Sequence, residues 1–236
     1  MAASGVCSRR EADRLIEAGR VRINGVIVQE LGTKIDDRKD VVVVDGKTVK
    51  PKDRNPVYIL LHKPKGVVVS VKDPFGRKTV MDYLGGLGTR VFPVGRLDAD
   101  SSGALLLTDD GELAHRLMHP RFGVTKIYEV EVEGEPGGAE VELLARGVFI
   151  DGRKTAPAAV AMVFRSRKRS VLRIEMREGR KREVRRMFEA VGFPVTRLVR
   201  TEFGGLRLSG LKPGAWRLLS AREVERLKKK TFGPSA

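Results

Sequence analysis

The chain has 236 residues, with 46 Lys and Arg against 30 Asp and Glu, a formal charge of +16 at pH 7. That excess of cations is the footprint of a surface that binds polyphosphates, so nucleic acid is the expected partner. No apolar run approaches the roughly 20 residues a membrane span needs, Met1–Ser8 has no apolar export segment, and the single cysteine, Cys7, excludes an internal disulfide and a cysteine zinc cage; a cytoplasmic protein without membrane contact is expected.

Ser8-Arg9-Arg10-Glu11 has the form of a capping box, and Ala12, Leu15 and Ile16 recur at helical spacing until Gly19 ends the run. Arg20-Val21-Arg22-Ile23 then meets Asn24-Gly25, the strongest short hairpin signal, before Val26-Ile27-Val28, and Val41–Val44 repeats the strand pattern. Residues 1–50 therefore read as a small helix-and-hairpin unit in which Arg9, Arg10, Arg14, Arg20 and Arg22 are candidate RNA contacts, or else a solvated charged face. The polar, proline-bounded stretch 51–56 reads as a linker, followed by a larger domain over 57–232.

In that domain strands are expected at Val57–Leu61, Val67–Val71, Ala104–Leu107, Ile127–Val132, Ala158–Phe164 and Val171–Met176. Helices are expected at Glu112–Met118, Val141–Arg146, Arg182–Val191 and Ala221–Lys229. Short turns join several of the strands, so antiparallel pairing should dominate and the class is α+β. His115 and His119 stand four apart but straddle a helix end before Pro120, and no metal site is read from them.

Three constellations carry chemistry. Asp98, in Gly95-Arg96-Leu97-Asp98 before Gly103 and an apolar strand, is either a turn cap or a reactive carboxylate kept ionised by its cationic neighbour Arg96. Glu178 to Phe188 is a turn opening a basic helix: Val184, Met187, Phe188 and Val191 form its core stripe, Arg182 and Arg186 point away, and Arg185 sits at the margin. From there Arg185 can reach a partly buried carboxylate, for which Asp98 is the choice, or simply flank the helix as a surface cation. Lys126 and Tyr128 share a strand face with Val130 and Val132, so Tyr128 is either core packing or an aromatic platform for a base.

Taken together these residues resemble the RsuA/RluB-type pseudouridine synthases. The resemblance rests on Tyr58-Ile59-Leu60-Leu61-His62-Lys63-Pro64-Lys65-Gly66, on Gly95-Arg96-Leu97-Asp98 with Gly103, and on Gly179 to Met187, after a start similar to the alpha-L RNA-binding domain of the ribosomal protein S-four type. It implies a mostly antiparallel mixed sheet flanked by helices and a uridine-to-pseudouridine isomerase acting on ribosomal RNA or a pre-ribosomal particle, nearer in pattern to the large-subunit branch, monomeric and without cofactor or metal. It also implies that Asp98 is catalytic, Tyr128 packs on the uracil, Arg185 is the ion-pair partner of Asp98, and the base is flipped out with Arg96 filling its place. Lys63, Arg96, Lys126, Arg180, Lys181 and Arg182 are then RNA contacts of the catalytic domain. Departures are a truncated first helix at Met1–Gly5, Ser101 where Thr is frequent, and Asp109 for a common Asn. The competing readings are a small-subunit enzyme, a non-catalytic assembly protein, and a metal-dependent nuclease using Asp98, Asp100 and Asp109.

Overall fold

In the computed structural model residues 1–2, 4–50 and 55–233 are described, so Pro51–Arg54 of the expected linker lie outside them. The chain divides into two compact units, Met1–Pro56 with Asp109–Gly111, and Val57–Thr108 with Glu112–Ala236.

In the first unit helix α1 (Arg9–Glu17) starts where the Ser8 hydroxyl accepts the Glu11 N–H at 3.2 Å, half of the expected capping box. Strands β1 (Val21–Ile23) and β2 (Val26–Ile27) are joined through Asn24 and Gly25 at φ 50 and 87°, the left-handed pair a tight hairpin demands. With β3 (Val42–Val44) and β4 (Lys47–Thr48) they form a sheet in the order β2-β1-β3-β4 over a core of Leu15, Val21, Val42 and Val44.

The second unit runs β5 (Tyr58–Lys63), β6 (Phe92–Pro93), β7 (Ser102–Thr108), α2 (Gly111–Met118, its first residue grouped with the other unit), β8 (Lys126–Glu133) and α3 (Gly138–Arg146). It continues through β9 (Phe149–Ile150), β10 (Arg153–Lys154), β11 (Ala159–Phe164), β12 (Arg169–Met176), α4 (Glu183–Ala190), β13 (Val195–Phe203), β14 (Leu206–Arg207), β15 (Trp216–Leu218) and α5 (Ala221–Phe232). The main sheet has the order β11-β12-β8-β13-β7-β5-β15, and every neighbouring pair is antiparallel except β13 with β7. The mixed, mainly antiparallel α+β class is the one expected.

The apolar runs in β5 and β7 exist because both faces of these central strands are covered. Tyr58, Leu60, Ala104 and Leu106 pack with Leu113 and Leu117 of α2 and Leu227 of α5, whereas Ile59, Leu61, Leu105 and Leu107 pack on the other face with Val67, Val80 and Val91. In β8 the alternation Tyr128, Val130, Val132 turns one face to α4 residues Val184, Met187 and Phe188.

Two expectations fail. Val67–Val71 is not a strand: only Val68 pairs, in an isolated bridge to Thr79. The nine-residue β13 has no counterpart among the expected strands, because Arg197, Arg200 and Glu202 interrupt its apolar pattern and a buried arginine reads as a surface residue. Among the described residues no helix is long and apolar enough to cross a membrane.

Candidate active site

A cleft of about 750 Å³ opens in the second unit, and Arg96, Asp98, Lys126, Tyr128, Lys181 and Arg182 are among its lining residues. Asp98 ends the connection from β6 to β7 in a turn closed by the Ser101 N–H on the Asp98 carbonyl at 3.1 Å. Three buried or half-buried cations hold this turn by its main chain. Lys63, with no exposed surface, donates from Nζ to the carbonyls of Ser101 at 2.7 Å, Pro64 at 2.9 Å and Ala99 at 3.4 Å. Arg185 donates to the Asp100 carbonyl at 3.1 Å and to that of Val195 at 2.9 Å. Arg200, 2% exposed, donates to the carbonyls of Ala104 at 2.8 Å and Arg96 at 3.4 Å. Gly103 makes the arrangement sterically feasible: at φ +124° it lies against β13, and a Cβ there would stand 2.3 Å from the Arg200 carbonyl oxygen.

The expected partnership of Arg185 with Asp98 is corrected by this geometry. Arg185 Nε lies 3.3 Å from Asp100 Oδ2, and Arg182 grips both Asp100 oxygens at 3.2 and 3.0 Å. One turn residue thus takes both arginines, and among the described residues the Asp98 carboxylate makes no ion pair. Lys63 and Arg182 still act on Asp98 through space. Arg185 holds the turn through the Asp100 carbonyl and carboxylate.

Three cations expected to contact RNA, Lys63, Lys126 and Arg180, donate to main-chain carbonyls of the protein, and Lys126 and Arg180 line the cleft as well. Lys63 is the buried clamp just described, and burial lowers its pKa to about 8 against the opposing pull of Asp100 and Asp98. Lys126 lines the cleft but donates to the carbonyls of Val124, Arg177 and Glu178 at 3.3, 3.4 and 3.3 Å, and burial lowers its pKa as well. Arg180 ties the turn before α4 to β10 through the Arg153 and Lys154 carbonyls at 3.3 and 2.8 Å. Arg96 and Lys181 remain as exposed cations at the cleft with no partner for their side chains among the described residues. Arg177 is a third, one residue outside the stretch the sequence singled out.

Tyr128 packs in the core and also reaches the cleft. It is 9% exposed and packed among Val130, Ile174 and Val184, yet it also lines the cleft near Leu97. The remaining candidates belong to the first unit. Arg9 and Arg10 are exposed and unpaired among the described residues, Arg14 lies 3.6 Å from Glu11, and Arg22 reaches the Gly25 carbonyl at 3.2 Å. Arg20 is committed to Asp45 through two bonds of 2.7 and 2.6 Å and braces β1 against the turn before β4. Among the described residues no three His, Cys, Asp or Glu side chains gather as a metal ion would require.

The sequence matches two family descriptions, RNA pseudouridylate synthase over residues 57–190 and S4 domain over residues 1–42. A relative in Bacillus subtilis (strain 168), ribosomal large subunit pseudouridine synthase B, is 44% identical over 230 residues, covering 97% of this chain and 93% of its own length. A protein of the same description in Vibrio vulnificus (strain CMCP6) is 40% identical over 97% of this chain and 72% of its own. A solved structure described as a pseudouridylate synthase superimposes with a TM-score of 0.69 at 29% identity, covering 96% of each chain.

Proposed function

This chain belongs to the RNA pseudouridylate synthase family, and from that premise we propose that it isomerises a uridine of large-subunit ribosomal RNA with Asp98 as the acting carboxylate. The uridine leaves its stack to enter the cleft, and Arg96, at the rim with a free guanidinium, fills the vacated space. Asp98 acts on the ribose, by attack on C1′ or by removing the 2′ proton, and the N1 glycosidic bond breaks. The uracil turns while bound against the Tyr128 ring and C5 bonds to C1′, releasing Asp98 from C1′ or with the 2′ proton returned to the ribose; the C5 proton then leaves with Tyr128 assisting and N1 ends protonated. Atoms balance within the substrate, so no redox partner enters.

What supports the assignment most is that Asp98 and Tyr128 line one cleft while Asp100 takes both neighbouring arginines, leaving the Asp98 carboxylate without an ion pair among the described residues. Arg185 serves by fixing the turn through Asp100. In this reading the protein works in the cytoplasm as a monomer on ribosomal RNA or a pre-ribosomal particle, with Arg9 and Arg10 of the S4 domain adding phosphate contacts.

The test is pseudouridine mapping of ribosomal RNA from cells lacking the gene, complemented with wild type or with Asp98→Asn. Wild type is expected to restore a large-subunit pseudouridine that the mutant does not. Restoration by Asp98→Asn would remove the catalytic assignment, and restoration of a small-subunit site would move the substrate.

A further inference from the structure

Two acids in the cleft wall have no part in the reaction above. Glu183, the first residue of α4, is 4% exposed, and its Oε2 accepts the Arg180 backbone N–H at 2.8 Å. Its Oε1 is buried and accepts no hydrogen bond from an N–H group among the described residues; Arg180 Nε is 3.8 Å away, too far for one. The side chain in hydrogen-bond contact with Glu183 is another carboxyl, that of Glu178. Glu178 is anchored in turn by the Ala156 N–H at 2.6 Å and by Arg180 Nη2 at 3.4 Å.

Two ionised carboxylates have no donor to offer each other, so this contact is a bond only when a proton sits between them. Burial, and next the bond with Glu178, push the Glu183 carboxyl up to about 7, while Glu178 is held below its ordinary value despite its own burial. The other charges facing the pair are Arg180 on the same turn, Lys126 on β8 and Arg153 on β10. Between the two acids the chain passes through Gly179–Arg182 and enters the helix with Arg182 at φ 52°, a left-handed conformation that a side-chain-bearing residue keeps only when its surroundings hold it.

We infer that a proton shared by Glu183 and Glu178 is a latch that holds the Gly179–Arg182 turn, and so sets Lys181, whose side chain has no partner among the described residues, to receive an RNA phosphate at the cleft while Arg182 stays on Asp100. Glu183 is a positioning residue that works as a neutral acid. The inference rests on the RNA-binding reading of this cleft. When Glu183 ionises, a second negative charge faces Glu178, the latch opens and the turn loses its register. The sign of the pH effect follows. Because the folded-state value lies above the ordinary 4.5, the stabilisation is complete below that pH and is lost as pH rises through about 7.

The test uses the full chain as wild type, Glu183→Gln and Glu183→Ala. Binding to protein-free large-subunit ribosomal RNA is measured at pH 6 and pH 8 at one salt concentration, with pseudouridine formation on the same RNA and a thermal melt of each protein. The neutral fraction of a group titrating near pH 7 falls about tenfold over that interval, so wild-type affinity is expected to drop by a factor approaching ten. Gln, a permanent mimic of the neutral acid, is expected to hold the pH 6 affinity within about twofold at both values, and Ala to bind weakly at both. Lys63 is the same in all three proteins, and both variants remove the Glu183 charge that acts on Lys126, so a pH response that Gln and Ala share belongs to groups other than the latch. A Gln variant that melts normally yet follows the wild-type profile, or binds weakly at pH 6, would overturn the latch. A wild type that binds RNA without forming pseudouridine overturns the activity and leaves the binding comparison to judge the latch.

Discussion

The turn that carries Asp98 and the turn that carries Lys181 and Arg182 face the same cleft, but groups of opposite charge build them. Behind the acidic turn stand cations, Lys63, Arg185 and Arg200, which spend their donors on main-chain carbonyls and on Asp100. Behind the basic turn stand acids, Glu178 and Glu183, which accept main-chain N–H groups and contact Arg180. In each case the supporting groups satisfy backbone atoms that the turn would otherwise bury unpaired, and Asp98 and Lys181 are left without an ion pair among the described residues. A cation near a nucleic-acid enzyme's cleft is therefore not by that fact a phosphate contact; its donors have to be counted first.

The sharpest way to break the contrast is at the displayed acid. Asp98→Asn is expected to lower turnover by about a thousandfold or more while RNA affinity and melting stay near wild type, since only the reacting group is changed. Matching losses in binding would make Asp98 one more scaffold residue. Lys63→Met comes next. It strips the donor from three carbonyls, which should cost roughly 3 kcal/mol of stability by denaturant unfolding, together with most of the turnover. A stable, active variant would show that the turn holds itself.

A smaller effect distinguishes direct from relayed action of Arg185. If it works through Asp100, then Arg185→Ala and Asp100→Asn should each lower kcat by about tenfold or more with little change in RNA affinity, and the double mutant should be no worse than the poorer single. A harmless Asp100→Asn beside a damaging Arg185→Ala would return Arg185 to Asp98. Least of all, Arg96→Ala and Lys181→Ala should each reduce the slope of log affinity against log salt by about 0.7 to 0.9 for every phosphate left unneutralised, with stability unchanged, whereas Arg180→Ala should lower stability more than it changes the slope. Equal slopes for all three would dissolve the distinction between displayed and structural cations.

Much of the fold could be read from the chain because its signals are local. Asn24-Gly25 fixes a hairpin by left-handed dihedrals, Ser220 and Glu223 form the capping box that opens α5, and the doubly buried strands β5 and β7 stand out as unbroken apolar runs. Strand β13 escaped because its buried Arg200 finds partners for Nε and Nη1 on carbonyls distant in sequence, on β7 and at Arg96, while Nη2 has none among the described residues. The Val67–Val71 run is apolar without being a strand, since its side chains cover one face of the sheet while its backbone finds only the Thr79 bridge.

The sequence by itself determined the family, the α+β class, the identity of the candidate acid and its turn, and an aromatic that lines the same cleft, because each is carried by contiguous residues whose spacing and backbone preferences act over a few positions. Only the tertiary structure decided how each charge is used. Asp100 takes the arginine meant for Asp98, Lys63 and Lys126 turn inward, and Glu183 meets Glu178 across the four residues Gly179–Arg182. The physical reason is that the use of a charged side chain depends on which donors and acceptors lie within about 3 Å of it and on how much water remains there, and both are fixed by chain segments brought together from far along the sequence.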